Sequence, residues 1–334
     1  MEFVKFTSIE AFKNTWASMQ RKMPIPTIEY TKRIKLHGTN AGIRITRGEN
    51  GYVVTAQKRA SDIPYPHSDN AGFGAWVHRT KDYWAEVADG LGFADYVVIY
   101  GEWAGNGVQK TDAVSLIAKS FFIFAIEIDG FIFNETDFME NVVFSAEDKD
   151  STILDNVFVL PDLAEDLKIC FFDSASTNKL LDELNIEVEE IGRMDPYIKE
   201  LFDKEGTGEG LVLAPKAFSM PRDEWAEAVF KMKSEAHRVQ KSAKAASTVA
   251  EIPAGVLEFV EMFVTPQRGE QGATEIGGKD IRKMRDFLNW MHADVRKEAT
   301  LEMEKMGITY DAVAKYVAKA ASTWYQQACA AERT

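Results

Sequence analysis

Short runs of alternating apolar and polar positions dominate the first two thirds of the chain. Runs rich in β-branched and aromatic residues, bounded by Gly and Asn, predict strands. These strands are expected at residues 28–36, 42–46, 52–58, 95–103, 120–128, 211–215 and 228–233. Apolar residues at helical spacing predict helices at residues 8–20 and 75–89. The mixture indicates an α+β domain of antiparallel sheets flanked by helices.

The pattern changes near residue 240. Residues 234–250 are small and polar, which is typical of a linker or a solvated helix. Beyond Pro253 the strand pattern stops, and apolar residues follow helical spacing over 256–264, 279–306 and 309–328. In the middle segment the apolar stripe consists of Ile281, Met284, Leu288, Met291 and Val295. A chain of 334 residues is long enough for two domains. We therefore predict one domain at residues 1–240 and a small all-helical domain at residues 241–334.

Composition favours a cytoplasmic protein without a membrane segment. Apolar residues make up 46% and charged residues 27% of the chain, as in ordinary globular proteins. No apolar run is long enough to span a bilayer, and the acid-containing N-terminus does not resemble a secretion signal. Cys170 and Cys329 lie too far apart to form a metal-ligand motif, and we interpret them as reduced thiols. A monomer is the default expectation.

The net charge of −13 argues at first against a nucleic-acid partner. Its distribution weakens this objection. Residues 21–59 contain nine Lys or Arg and two acids, whereas residues 135–209 contain 21 acids and six bases. Residues 231–244 hold five bases and one acid. The acidic block is best interpreted as solvated surface, and the basic segments could share one face.

Candidate chemistry begins with a short motif at the end of a predicted strand, KLHGTN at residues 35–40. Alone, this motif is a weak signal, since a surface lysine beside a loop has the same appearance. Further motifs follow it in order. They are QKR at 57–59, GEWAGNGVQK at 101–110, FFIF at 121–124, EGLVL at 209–213 and KMK at 231–233.

In this order the motifs resemble those of the covalent nucleotidyltransferases, namely ATP-dependent DNA ligases, RNA ligases and mRNA capping enzymes. The nearest resemblance is to the RNA ligase 2 family of bacteriophages, relatives of the trypanosome RNA-editing ligases. It extends over roughly residues 1–245 and more weakly into TEIGGKD at 274–280. The resemblance implies an ATP-grasp-like nucleotidyltransferase domain and an ATP-dependent RNA ligase, an enzyme that forms phosphoric ester bonds. A phage-encoded member would act in the host cytoplasm.

The family chemistry implies that Lys35 becomes covalently bound to AMP. Lys35 must attack the α-phosphorus of ATP as a free amine, with release of pyrophosphate. Cations favour loss of the amine proton and neutralise the phosphates, and here they would be Lys231, Lys233 and a Mg²⁺ (or Mn²⁺) ion. The AMP then passes to an RNA 5′-phosphate, and an adjacent 3′-OH displaces it.

The resemblance also implies a nucleotide pocket. Phe124 would stack on the adenine, although packing in the core is the ordinary role of such a ring. Glu102 would accept hydrogen bonds from the ribose. Without the other motifs, Glu102 would be an ordinary carboxylate at the end of a strand.

Four further residues are implied around the phosphates and the metal ion. Arg59 and His37 would contact the AMP phosphate, with Arg59 suited to paired hydrogen bonds. Asn40 would help to bind the RNA 5′-phosphate. Glu209 would organise the metal ion, since hard oxygen ligands suit Mg²⁺.

At three positions the chain departs from the family pattern. Ala125 stands where many members have an acid, and Glu127 on the same strand face is a possible substitute. Ala214 stands where relatives often have a lysine, with Lys216 two residues on. Ile34 replaces an acid before the nucleophile. These departures concern the metal ion and the selection of ATP rather than the covalent step.

The expected partner is RNA with 3′-OH and 5′-phosphate ends, as in a nicked duplex. The helical tail would grip this duplex, with Lys279, Arg282, Lys283 and Arg285 as candidate contacts, although such charges are more often solvated. A DNA ligase or capping enzyme is the first alternative, and it calls for a β-rich tail. A catalytically silent RNA-binding repair protein is the second.

Overall fold

Strands and helices alternate through the parts of the chain that the computed structural model describes, which are residues 3–49, 51–145, 154–238 and 255–331. The strands are β1 (Glu10–Ala11), β2 (Thr27–Lys35), β3 (Thr39–Gly48), β4 (Gly51–Lys58), β5 (Ser61–Asp62), β6 (Tyr96–Ala104), β7 (Ser120–Ile128), β8 (Phe131–Phe133), β9 (Val157–Val159), β10 (Leu163–Cys170), β11 (Gly210–Pro215), β12 (Met220–Pro221) and β13 (Phe230–Lys233). The helices are α1 (Phe12–Met19), α2 (Phe73–Asp89), α3 (Thr136–Val143), α4 (Ser174–Arg193), α5 (Pro196–Phe202), α6 (Arg222–Ala228), α7 (Val256–Phe263), α8 (Pro266–Glu275), α9 (Met284–Glu298), α10 (Thr300–Met306) and α11 (Tyr310–Ala331).

Two β-sheets organise the first 238 residues. The first sheet has the strand order β1-β13-β11-β2-β10, and the second has the order β12-β8-β7-β6-β3-β4-β5, with β9 added beside β7. The central pairs are antiparallel, including β11 with β2 and β13, and β6 with β3 and β7. Parallel pairing occurs where β1 meets β13 and where β9 meets β7. The predicted α+β class with antiparallel sheets is confirmed.

Strand β6 is buried on both faces, which explains why its sequence is an almost continuous apolar run. Successive side chains of a strand point to opposite sides. Val97 and Ile99 pack into a core that also contains residues of α2. Val98 and Tyr100 pack into a second core on the other face, together with Trp225 of α6. The second sheet is thus covered on both sides, and the candidate site described below lies beside the second core.

The chain divides into two compact units. The described residues of the first unit fall within Met1–Thr15, Ile28–Ile169 and Lys179–Ser247. Those of the second unit fall within Trp16–Thr27, Cys170–Asn178 and Thr248–Thr334. The second unit therefore includes two segments, Trp16–Thr27 and Cys170–Asn178, that precede the predicted helical domain in the sequence. The predicted boundary between residues 240 and 241, and most of the predicted linker at 234–250, lie outside the described residues.

Residues 255–331 form helices around an apolar core of their own. Its buried members include Phe259, Phe287, Val317 and Tyr325. The ring of Phe287 stacks on that of Tyr325, with the centroids 4.2 Å apart. The predicted helical C-terminal region is confirmed. None of the helices in the described residues has both the length and the apolar character of a membrane span.

The segment predicted as a single helix at 279–306 is interrupted, and in this the prediction was wrong. Residues Ile281–Lys283 form a 3₁₀ turn, and α9 and α10 are separate helices. The interruption lies at Ala299 and Thr300, where the Thr300 hydroxyl donates to the Arg296 carbonyl. Such bonds from a threonine back to the preceding turn often bend helices.

The predicted apolar stripe of α9 is mostly correct. Met291 and Val295 are buried, and Met284 and Leu288 pack against the same core. Ile281, by contrast, is 38% exposed, because it belongs to the 3₁₀ turn and not to the helix.

Candidate active site

A cavity of about 280 Å³ opens beside β2, β3, β6, β7 and β13 of the first unit. Seven of the nine predicted site residues line it, namely Lys35, Asn40, Arg59, Glu102, Phe124, Lys231 and Lys233. Two of the predicted residues, His37 and Glu209, are not among its lining residues. Segments more than 190 residues apart in sequence therefore contribute to one pocket, and the ordered motifs correspond to its walls.

Strand register brings the first and last motifs of the series together. Gly210 of β11 pairs with Lys35 of β2 on one side and with Lys233 of β13 on the other. Gly210 has a φ of +142°, and a Cβ added there would lie 2.2 Å from the Met232 carbonyl oxygen. Only glycine fits this position without strain. The glycine of the EGLVL motif is therefore needed to hold the two lysines side by side.

Glu209 joins the same two lysines. Its Oε2 lies 2.6 Å from Lys35 Nζ, and its Oε1 lies 2.6 Å from Lys233 Nζ. Burial acts to raise the pKa of Glu209, but the positive charges of Lys35 and Lys233 outweigh it and lower the pKa. Glu209 therefore stays ionised, and each of its carboxylate oxygens holds one ammonium group.

Lys231 occupies the same face of β13 as Lys233. Phe230 and Met232 alternate with these lysines and are buried in the core. Burial lowers the pKa of Lys231, and the charges of Lys35 and Lys233 lower it further. Three amines thus share a small space, which makes the pocket attractive to an anion such as a phosphate chain.

Glu102 also lines the cavity. Its Oε1 accepts a hydrogen bond of 3.0 Å from the backbone N–H of Gly38. Burial raises the pKa of Glu102 to about 7; the charge of Glu209 also raises it, and that of Lys35 opposes the rise.

Gly38, the glycine of the KLHGTN motif, packs closely against β6. A Cβ at this position would lie 2.4 Å from the Trp103 carbonyl oxygen, so close packing against β6 requires glycine.

Aromatic rings form one end of the cavity. Phe124 lies 5.3 Å from Phe6 between ring centroids, and Trp225 lies 5.9 Å from Phe6. All three side chains line the cavity. Phe124 is only partly buried, in contrast to its neighbours on β7, so that some of its surface remains available. Phe6 and Trp225 were not predicted as site residues, because neither lies in a motif.

The sequence matches the model of the family described as RNA ligase over residues 28–233. That range is more than half of the chain and contains every motif of the pocket. The chain belongs to the RNA ligase family. No curated protein sequence gives a significant match.

Among solved structures, the chain is similar to several of the Naegleria gruberi RNA ligase. One mutant with ATP and Mn is 15% identical, with a TM-score of 0.46, and the match covers 71% of this chain and 58% of that chain. A second mutant with ATP and Mn is 17% identical, with a TM-score of 0.44 and the same coverage. The ligase with pyrophosphate (PPi) is 15% identical with a TM-score of 0.43, over 72% of this chain and 59% of that chain. The RNA ligase chain described here thus spans less than two thirds of the length of those proteins.

The remaining polar residues of the predicted site lie near the rim of the cavity. Arg59 follows β4, is exposed, and donates a hydrogen bond to the Ser8 hydroxyl. Asn40 begins β3 and is partly exposed. His37 is not among the lining residues, and its Nδ1 lies 2.5 Å from Asp112 Oδ2. Its Nε2 is therefore the ring nitrogen left for a ligand.

Asp112 and His237 are the polar residues that sequence reasoning missed. His237 Nε2 lies 3.0 Å from both carboxylate oxygens of Asp112. Burial acts to raise the pKa of Asp112, but hydrogen bonds from Thr207, His37 and His237 outweigh it and lower the pKa. The available signals were an acid just after the GEWAGNGVQK motif and a histidine just after KMK. Neither residue belongs to a motif, and the sequence pattern assigned His237 to a linker.

A buried arginine supports the aromatic end. Arg33 of β2 is 3% exposed and pairs with Asp162 at 2.8 Å. Its Nη1 donates to the Phe124 carbonyl oxygen at 2.8 Å, and its Nη2 donates to that of Asn134. Strand β7 is irregular here, since the register against β6 shifts between Tyr100 and Gly101. Arg33 therefore stabilises the irregular segment that presents Phe124.

The structure shows where Glu127 and Lys216 lie, the residues considered as substitutes at two positions that depart from the family pattern. Glu127, considered as a substitute for an acid at position 125, is fully buried and does not line the cavity. It accepts hydrogen bonds from the Tyr96 and Tyr100 hydroxyls and from Arg222. Lys216 pairs with Asp166 and is likewise absent from the lining. Neither residue takes the missing position in the pocket.

Proposed function

We propose that this chain is an ATP-dependent RNA ligase whose nucleophile is Lys35. The observation that carries the proposal is the position of the Lys35 amine. It lines a cavity with two other lysines, and it touches a carboxylate that it shares with one of them. An amine in such surroundings suits attack on a phosphate, because the neighbouring cations neutralise the charge that develops on the phosphoryl oxygens.

In the proposed first step, Lys35 Nζ attacks the α-phosphorus of ATP. A nitrogen–phosphorus bond forms, the bond to the bridging oxygen breaks, and pyrophosphate leaves with that electron pair. In the second step, an oxygen of an RNA 5′-phosphate displaces the lysine and takes the AMP. In the third step, the RNA 3′-OH attacks that 5′-phosphorus, and AMP leaves as the phosphodiester forms.

The attack needs the free amine of Lys35, which lies 2.6 Å from a Glu209 carboxylate oxygen. A divalent cation bound to the Glu209 carboxylate would compete with Lys35 for that oxygen. Hard oxygen donors of this kind fit Mg²⁺ or Mn²⁺. When bound, such a cation neutralises phosphate oxygens. Lys231 and Lys233 would hold the remaining phosphate charge.

The rest of the cavity suits a nucleoside. Phe124 offers a ring face next to Phe6 and Trp225, and a purine can stack on such a face. Glu102 lines the same cavity, and a ribose hydroxyl could donate to its carboxylate. Arg59 at the rim would contact the AMP phosphate, as would His37 through its free Nε2. Asn40 would meet the RNA 5′-phosphate.

The test is self-labelling with ATP that carries ³²P at the α-phosphate, in the presence of Mg²⁺. We expect one label per chain, mapped by peptide mass spectrometry to Lys35, and none in Lys35→Ala. Lys231→Ala or Lys233→Ala should weaken labelling strongly. Lys168→Ala is the matched control, because that lysine is 64% exposed and lies outside the cavity. Label on any other lysine would exclude the proposed nucleophile.

The natural substrate is proposed to be a nick in duplex RNA. The described residues after Gly255 contain helices and no strand, which disfavours the DNA ligase and capping alternatives, since these call for a β-rich tail. Labelled enzyme should therefore seal nicked duplex RNA faster than nicked duplex DNA. Equal rates on both substrates would contradict the proposal. A protein that binds RNA without taking up label would instead be a silent repair factor.

The second unit is proposed to contact the duplex. The contacts that its four candidate basic residues already make distinguish among them. Lys279 pairs with Glu270 at 2.7 Å, and Arg282 pairs with Asp280 at 2.6 Å, so both charges are already compensated. Lys283 donates to two backbone carbonyls. Arg285 at the start of α9 is exposed and is the strongest of the four candidates.

Reversing the charge of Arg285 tests whether the second unit binds the duplex or has a purely structural role. Arg285→Glu should weaken binding of nicked duplex RNA about tenfold in a gel-shift assay at moderate salt, while self-labelling stays unchanged. Lys297→Glu on the same helix is the control, because that lysine is 80% exposed. If both variants bind RNA equally well, α9 does not contact the duplex at Arg285.

A further inference from the structure

A second cluster of potential ligands lies outside the cavity. His37 follows β2, Asp112 precedes the 3₁₀ turn Ala113–Leu116, and His237 ends the turn Glu235–His237. One ligand atom from each residue lies within 4.8 Å of the others. The two imidazole rings approach edge to face, with centroids 5.4 Å apart. Three distant parts of the chain thus place two ring nitrogens and one carboxylate oxygen close together.

Both histidines contact the Oδ2 atom of Asp112. His37 Nδ1 lies 2.5 Å from it, and His237 Nε2 lies 3.0 Å from it. Asp112 is 4% exposed. Within the described residues its ion-pair partners are these two histidines, and no Lys or Arg pairs with it. A buried carboxylate without a permanent cation is costly, and a divalent ion would supply the missing positive charge.

Outer contacts hold the cluster in place. The Thr207 hydroxyl donates to Asp112 Oδ1 at 2.7 Å. Ser234 Oγ lies 3.0 Å from His237 Nδ1 and 3.4 Å from the Gly208 carbonyl oxygen. In the metal-bound form, Ser234 would accept from His237 Nδ1–H and donate to the Gly208 carbonyl oxygen, which leaves the Nε2 lone pair of His237 for the ion. Ligating histidines usually have such an outer partner on the second nitrogen.

We propose that His37, Asp112 and His237 form a binding site for a zinc-class divalent transition metal, separate from the Mg²⁺ or Mn²⁺ assigned to Glu209. Two imidazoles and one carboxylate select ions such as Zn²⁺ and Co²⁺ over Mg²⁺ and Ca²⁺, which prefer oxygen. Three protein ligands leave one position of a tetrahedral ion open for water or a phosphate oxygen.

The site needs only a small adjustment to accept an ion. Bonds of about 2.0–2.1 Å in a tetrahedral arrangement separate neighbouring ligand atoms by about 3.4 Å, somewhat more than the present 2.5 and 3.0 Å. The His37 side chain is 31% exposed, against 11% for His237 and 3% for Asp112. His37 is therefore the ligand that can withdraw, with its remaining proton on Nε2.

The test is metal binding by the full-length protein after removal of metals with EDTA. Calorimetric titration with Zn²⁺ alone should give one site per chain, and Co²⁺ should give the visible absorption bands of a tetrahedral complex. Asp112→Asn keeps the size of the side chain and should lower zinc affinity about 100-fold or more. His37→Gln, at the most exposed ligand, should do the same, and it provides the test if the buried Asp112 variant does not fold.

Two controls make the outcome decisive. His78→Ala alters an exposed histidine elsewhere and should leave the zinc site intact. Lys35→Ala should also bind one zinc ion, so this result does not depend on the proposed ligase reaction. The inference is overturned if the Asp112 and His37 variants bind zinc as tightly as the unmodified protein. It is likewise overturned if His78→Ala loses zinc to the same extent as they do.

Discussion

The ionisation of Glu102 gives a direct test of the electrostatics of the pocket. Glu102→Gln removes the charge but keeps an oxygen that can accept from the Gly38 N–H. Burial raises the pKa of Glu102 from its ordinary value of 4.5 to about 7. Each pKa unit corresponds to about 1.4 kcal/mol, so ionising Glu102 costs the folded protein about 3 kcal/mol more than it costs the unfolded chain.

The sign follows from proton binding. Between the ordinary pKa of 4.5 and about 7, the folded protein keeps a proton on Glu102 that the unfolded chain has lost. The stability associated with this group is therefore fully present below the ordinary pKa and is lost as pH rises through about 7. Glutamine does not titrate. The free energy of unfolding of Glu102→Gln, relative to that of the unmodified protein, should therefore rise by up to about 3 kcal/mol between about pH 4 and about pH 9.

The assay is urea unfolding of both proteins at the two pH values, without nucleotide or divalent metal. Comparing the two proteins at each pH removes the contributions of all other titrating groups. Glu49→Gln, at an exposed position after β3, is the matched control and should show no pH-dependent difference. The reasoning fails if the difference between Glu102→Gln and the unmodified protein is the same at both pH values, or if it grows toward low pH.

Two further substitutions test how the pocket is held. Arg33→Met should lower the free energy of unfolding in urea by about 3–5 kcal/mol, because it leaves buried acceptors unpaired. Arg33→Met should also weaken ATP binding, because Arg33 supports the segment that presents Phe124. A loss of unfolding free energy below about 1 kcal/mol would contradict this role of Arg33. Gly210→Ala should abolish self-labelling and destabilise the fold, since its Cβ would overlap the Met232 carbonyl. Gly92→Ala, with open space around it, should do neither, and a Gly210→Ala protein that labels normally would refute the argument.

The sequence predicted the strands of the pocket well because each has a strong local pattern. Lys35 does end β2, and Lys233 ends β13, as their motifs indicated. The acidic helix α4 was missed, since its charged face hid the spacing of its buried residues Leu181, Leu184 and Val188. Local patterns therefore sufficed where an element is buried on both faces, and failed where most of its surface is solvated.

Tertiary partners were beyond local patterns. Nothing at residue 33 distinguishes an arginine buried against Phe124 and Asp162 from the other bases of the basic segment at 21–59. The meeting of Asp112 with His237 depends on where a loop and a 3₁₀ turn are placed by the sheets that they follow. Such contacts join residues far apart in the chain, and no spacing rule encodes them.

The geometry also explains why one carboxylate can regulate the whole pocket. Glu209 neutralises Lys35 and Lys233 at once, from a position that is 4% exposed. While it does so, the net positive charge that the pocket offers to a phosphate chain is reduced. A ligand that draws Glu209 away would expose two cations and release one amine in a single event. Because one carboxylate contacts both lysines, binding of an anion and the proposed activation of Lys35 would be coupled.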